Sequence, residues 1–129
     1  MNESRKIRTL YKELMGSKIY TFPAKGKVNV CNNHGVYIIY CPQDQVLHVG
    51  MTPYGKGGIN QRLYNHISKT GMFYREYLKS RNISLRGTYK FQFIEVENPR
   101  IRALLEAFTA GNLCPAHFGT GVRTSLTSL

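Results

Sequence analysis

Two short stretches decide the fold: Gly35-Val36-Tyr37-Ile38-Ile39-Tyr40 and Val46-Leu47-His48-Val49-Gly50-Met51. In the first, β-branched and aromatic residues occupy both parities, the pattern of a strand covered on both faces. The second reads as its antiparallel partner across a turn at Cys41 to Asp44. A four-residue loop that closes with Tyr40 opposite Gln45 sets Tyr37 directly across from His48, on one face, with Cβ atoms about 5 Å apart. A slip of one residue would part the two side chains to opposite faces.

Outward from this hairpin, residues 3 to 15 have helical spacing, with Ile7, Leu10, Tyr11 and Leu14 on one stripe and Gly16 as the stop. Residues 17 to 33 read as irregular, with a short extended piece at Lys27 to Val30. After the hairpin, Thr52 to Gly58 is a glycine-rich connector. A helix follows with Ile59, Leu63 and Ile67 as its buried positions and Asn60 as its N-cap. Arg62 and His66 are four apart and share a face beside that stripe. A second short helix is expected at Phe73 to Ser80 with Arg75 and Lys79 outward, then a third strand over residues 88 to 96. Asn98-Pro99 opens a last helix, with Ile101, Leu104, Leu105 and Phe108 at helical spacing up to Gly111. The expectation is one α/β (α+β) domain: a small, mostly antiparallel three-stranded sheet flanked by helices. Its core runs over about 34 to 118, after an N-terminal helix and irregular extension at 1 to 33, with a frayed tail at 120 to 129.

Lysine and arginine total 18 against 7 acidic residues among 129, a net charge of +11, so a polyanion is the natural partner. The apolar runs at 35 to 41 and 103 to 116 are too short, or are broken by Glu106, to cross a bilayer. No charged start leads into an apolar leader, and the expected location is the cytoplasm, with Cys31, Cys41 and Cys114 reduced. Asp44 is the only aspartate, which leaves little for a site that clamps two metals with several carboxylates.

Taken in order, Gly35-Val36-Tyr37, His48-Val49-Gly50, Arg62 with His66, and Glu106 on the helix after the third strand resemble the GIY-YIG nuclease family. The resemblance covers about 35 to 118. It implies a metal-dependent endonuclease that hydrolyses phosphodiester bonds in DNA, with RNA as a second candidate. Water would attack phosphorus and the 3′ oxygen would leave. By the same resemblance Tyr37 is the general base or water-orienting group, and His48 positions it or assists proton transfer. Arg62 supports the phosphoryl oxygens, and His66 relays a proton or bonds the phosphate. Glu106 holds one divalent ion, Mg²⁺ or Mn²⁺, whose shell water and phosphate oxygens complete. Those types suit the chemistry: a planar permanent cation matches phosphoryl oxygens, an imidazole moves protons near neutral pH, and a phenol needs a nearby cation to ionise.

The chain departs from the family pattern where His48 stands for a tyrosine and Phe118 for an asparagine. The rival reading is therefore a catalytically inactive module of that family that only binds nucleic acid; a basic RNA-binding protein unrelated to nucleases is a third. One site cuts one strand, so a double-strand break requires a dimer, sequential nicking or a partner. Arg75, Lys79, Arg81 and Arg86, interleaved with aromatics, are candidates to track a phosphate backbone, and Lys56 on the glycine-rich loop is a further one. Cys31 with His34 and Cys114 with His117 repeat a three-residue spacing, but lie too far apart in sequence to favour a joint zinc site.

Overall fold

A computed structural model describes residues 2 to 53 and 55 to 118; the tail expected at 120 to 129 lies outside them. Helix α1 (Glu3–Met15) starts where the Asn2 side chain accepts from the Arg5 N–H, and stops at Gly16, as its pattern requires. Strands β1 (Tyr20–Thr21), β2 (Gly35–Tyr40), β3 (Val46–Met51) and β4 (Lys90–Glu95) form one antiparallel sheet in the order β1-β4-β2-β3. Helix α2 (Gly58–Ile67) and the one-turn helix α3 (Gly71–Phe73), which widens into a π-helical turn at Tyr74–Leu78, lie between β3 and β4. Helix α4 (Pro99–Leu113) follows, capped by Asn98. The α+β class stands as expected, and the sheet has four strands instead of three. The extra strand is Tyr20–Thr21, two residues too short to show an alternation. Tyr20 secures it by stacking on Phe91 and Phe93, with ring centroids 5.3 and 5.8 Å away. Lys27 to Val30, expected to be extended, forms no strand.

Because β2 is central, all six of its residues are buried, and the two parities feed two cores. Val36, Ile38 and Tyr40 pack with Ile7 and Leu14 of α1 and Ile101 and Leu105 of α4. Tyr37 and Ile39 pack with Ile59 and Leu63 of α2, Phe73 and Leu78. Full burial of an aliphatic side chain such as Leu14 contributes about 1.5–3 kcal/mol, so each face retains its own helices.

The hairpin register differs from the four-residue-loop reading. Tyr40 pairs with Val46, the ladder then slips by one, and Tyr37 pairs with Gly50 while His48 pairs with Ile39. The bulge turns both Leu47 and His48 toward the α2 side: Leu47 joins that core, and the His48 ring stacks on Phe73 at 4.4 Å. One residue from the longer loop and one from the bulge make a displacement of two, an even number. His48 therefore still shares a face with Tyr37, one step along, with ring centroids 6.1 Å apart.

The α2 helix begins earlier than its pattern implies. Its N–H groups at Ile59 and Asn60 donate to the carbonyls of Asn33 and Cys31, so the loop before β2 caps it. Gly58, at φ +50, permits this approach, since a Cβ there would collide with the Asn32 and Asn33 carbonyl oxygens. Asn60, expected as the N-cap, instead accepts from the Val30 and Cys31 N–H groups at 2.6 and 2.9 Å. Arg102, buried on α4, donates to the carbonyls of Pro53, Val96 and Glu97, tying the connector before α2 to the turn before α4.

Candidate active site

The site residues gather at β3, the sheet edge, in two compartments. The inner one is sealed. Tyr37, fully buried, shares a 2.6 Å hydrogen bond with His66 Nε2. Burial pushes the Tyr37 phenol up to about 12 although the Arg62 guanidinium opposes the shift. Burial, helped by the Arg62 charge, takes His66 down to about 3. Both groups are therefore neutral at neutral pH. The helical pattern set His66 beside the apolar stripe; in the structure it is 3% exposed, because Tyr37 from β2 and Phe73 from α3 close over it. Its Nδ1 and the Arg62 Nε are buried without a hydrogen-bond partner. Gly50 separates this pair from solvent, and its lack of a side chain is required: a Cβ would strike the Tyr37 hydroxyl.

The outer compartment is a cavity of about 370 Å³ lined by His48, Gly50, Arg62, Glu106, His117 and Phe118, among others. It joins α2, β3 and α4, so residues 48, 62 and 106 meet there despite their spacing in the chain. Tyr37 does not line it. Glu106 is half-buried, and burial raises its carboxyl above the ordinary range while Arg62 draws it back. Neither Arg62 nor Glu106 forms an ion pair with a described residue, which leaves a guanidinium and a carboxylate facing one space. Burial and then the positive potential of His66, His117 and Arg62 hold His48 well below the usual imidazole range.

His117 was not among the residues that sequence reasoning assigned to catalysis. Beyond α4, Cys114 takes a left-handed conformation at φ 48 and turns the chain back along β3. The Ala116 and His117 N–H groups then donate to the Val46 and Leu47 carbonyls, partly covering the free sheet edge. His117 Nδ1 thereby comes to 3.2 Å from His48 Nδ1, and its Nε2 to 2.7 Å from Glu76 Oε1. The only pattern that includes His117 in the sequence is the Cys114-x-x-His117 half of a zinc spacing. The other half's His34 bonds the Thr52 hydroxyl, and among the described residues no group of three or more His, Cys, Asp or Glu could hold a metal.

The basic candidates fall into two sets. Lys56 is exposed and lines a smaller cavity of about 100 Å³ that also contains Arg62, His34 and Asn65, so it adjoins the site. Arg75 and Lys79 are exposed on the segment that carries Glu76. Arg86 is engaged in the fold, donating to the Pro23 and Gly26 carbonyls, and Arg81 lies over the Tyr77 ring at 3.9 Å. No helix among the described residues is long and apolar enough to cross a membrane. Comparison with family models and with curated proteins found no match for the chain.

Proposed function

We propose that the chain is a divalent-metal-dependent endonuclease that hydrolyses phosphodiester bonds in DNA, with RNA as a second substrate, as its resemblance to the GIY-YIG nucleases implies. The observation that carries the reading is the cavity shared by His48, Arg62 and Glu106 in a chain of net charge +11. Arg62 is the group for the phosphoryl oxygens: its donors are not consumed by a protein carboxylate, and charge that develops on phosphorus-bound oxygen would meet a fixed cation in a partly dry site.

Glu106 fits a single divalent ion. Its oxygens accept no hydrogen bond from a described residue, and the cavity has room for the waters and phosphate oxygens that Mg²⁺ prefers to keep. Such an ion, when bound, supplies positive charge at the phosphate. Tyr37 holds its proton behind Gly50, so its contribution is to orient His66 and the wall of the site. Lys56 extends the positive surface from Arg62 along the next cavity.

A specific observation favours a second reading. Phe118 is exposed and lines the cavity where the family pattern calls for a polar residue, as in an inactive module that binds without cutting. Circular and single-stranded DNA incubated with Mg²⁺ or Mn²⁺ decides between them. The wild type is expected to cleave, and Arg62→Ala or Glu106→Ala to lose about 10²–10³-fold in rate, the usual cost of removing one group that stabilises developing charge. Binding without cleavage by any of the three proteins would establish the inactive module; equal cleavage by all three would place the chemistry elsewhere.

A further inference from the structure

Glu76, His117 and His48 form a chain of hydrogen bonds that ends at the cavity, and the resemblance gives no role to Glu76 or His117. A carboxylate can only accept. The 2.7 Å contact therefore requires His117 Nε2 to carry a hydrogen and donate to Glu76. A neutral His117 then has a lone pair at Nδ1, and the 3.2 Å contact requires His48 Nδ1 to donate to it. That leaves His48 Nε2 as an acceptor. His48 lines the cavity, and its Nε2 has no hydrogen-bond partner among the described residues. The rings are held in place: His48 stacks nearly parallel on Phe73 at 4.4 Å, His117 lies 5.3 Å from His48 and 5.4 Å from Phe73, and the His117 side chain is 1% exposed. Glu76 sits in the π-helical turn, a geometry frequent at functional sites.

We propose that His48 is the general base of the hydrolysis and that Glu76 and His117 are positioning residues that fix its tautomer and accept the charge it gains. This rests on the nuclease reading. Water loses a proton to His48 Nε2 while its oxygen lone pair forms the bond to phosphorus. The bond to the leaving oxygen breaks with its electron pair, and that oxygen takes a proton from solvent. His48 passes its Nδ1 proton to His117 Nδ1, so the positive charge comes to rest on His117 beside Glu76. The second imidazole matters because burial, and then the positive potential of His66, His117 and Arg62, opposes a cation at His48, whereas at His117 a carboxylate is in contact. The arrangement follows the logic of a base oriented by a third group, with one imidazole added.

Two measurements test it. Long-range ¹H–¹⁵N correlation spectra of the full chain at pH 7.5, assigned with His48→Gln and His117→Gln, report the tautomers with no reference to activity. Expected are Nδ1–H with a bare Nε2 at His48, and Nε2–H with a bare Nδ1 at His117. Nε2–H at His48 overturns the relay and leaves the nuclease reading to the Arg62 and Glu106 variants. In cleavage assays with Mg²⁺, His48→Ala is expected to lose about 10²–10⁴-fold in turnover. Glu76→Ala should lose about 10–100-fold with KM unchanged, and Glu76→Gln, which keeps an acceptor oxygen, should lose less. Wild-type turnover in a folded Glu76→Ala protein overturns the positioning role. A wild type with the expected tautomers but no cleavage of any nucleic acid overturns the catalytic role together with the nuclease reading.

Discussion

The inner and outer compartments of the site are built from the same run of motif residues yet have opposite solvation. Tyr37 and His66 are closed off behind Gly50, bonded to each other and neutral; His48, Arg62 and Glu106 face a cavity and retain free donors and acceptors. The difference shows that proximity to a site is not access to it. A phenol held up to about 12 and screened from the cavity supports the wall, while an imidazole bulged onto the same face two positions along the partner strand can meet a substrate.

Acid should break the inner compartment with the largest effect. His66 is neutral when folded, with its pKa down to about 3, whereas an unfolded histidine binds a proton near 6.5. The unfolded chain therefore binds more protons between those values. Stability present at neutral pH is lost as pH falls from about 6.5 toward 3, by an amount on the order of a few kcal/mol. His48, shifted in the same direction, adds to it. Urea midpoints measured across this range should fall steeply for the wild type and less for His66→Gln; parallel profiles would show that His66 is not held neutral by the fold.

Gly50→Ala tests the partition itself. The new Cβ collides with the Tyr37 hydroxyl, and overpacking of this kind costs about 1–3 kcal/mol. The change should lower the denaturation midpoint and disturb both compartments, whereas unchanged stability would mean that Tyr37 can swing away freely. Tyr37→Phe is the mildest change. It leaves His66 Nε2 without its partner, toward the lower end of the about 1–3 kcal/mol typical of a buried unsatisfied group. Its cleavage rate should fall less than that of His48→Ala. A folded Tyr37→Phe protein as inactive as His48→Ala would return the base role to the phenol.

Several parts of this architecture were legible in the chain. The double parity of Gly35–Tyr40 marks a central strand, the apolar stripe of residues 3 to 15 marks its first helix, and Asn98-Pro99 marks the start of α4. Glycine at 16 ends the first helix because nothing local continues it. The meeting of Arg62 with Glu106 around one cavity was expected from the family resemblance alone, because no local pattern relates two residues so far apart. The two-residue strand at Tyr20 was not legible, because it exists through stacking on Phe91 and Phe93 and not through any alternation of its own. Asn60 likewise has the residue type of an N-cap, but the loop carbonyls of Cys31 and Asn33 had already taken that role.

Periodicity and capping chemistry are local, so residue order alone marked the central strand and the apolar stripes of α1, α2 and α4. Register, solvent access and protonation partners are not local. The bulge at Leu47 and His48 brings the His48 ring onto Phe73 of a later element, and the screening of Tyr37 depends on three separate elements closing around it. The contacts of His117 with residues 69 and 41 positions earlier exist only because the chain after α4 folds back along the edge of β3. Hydrogen bonds require particular atoms at about 3 Å, and no pattern in a linear chain specifies that separation between residues so far apart.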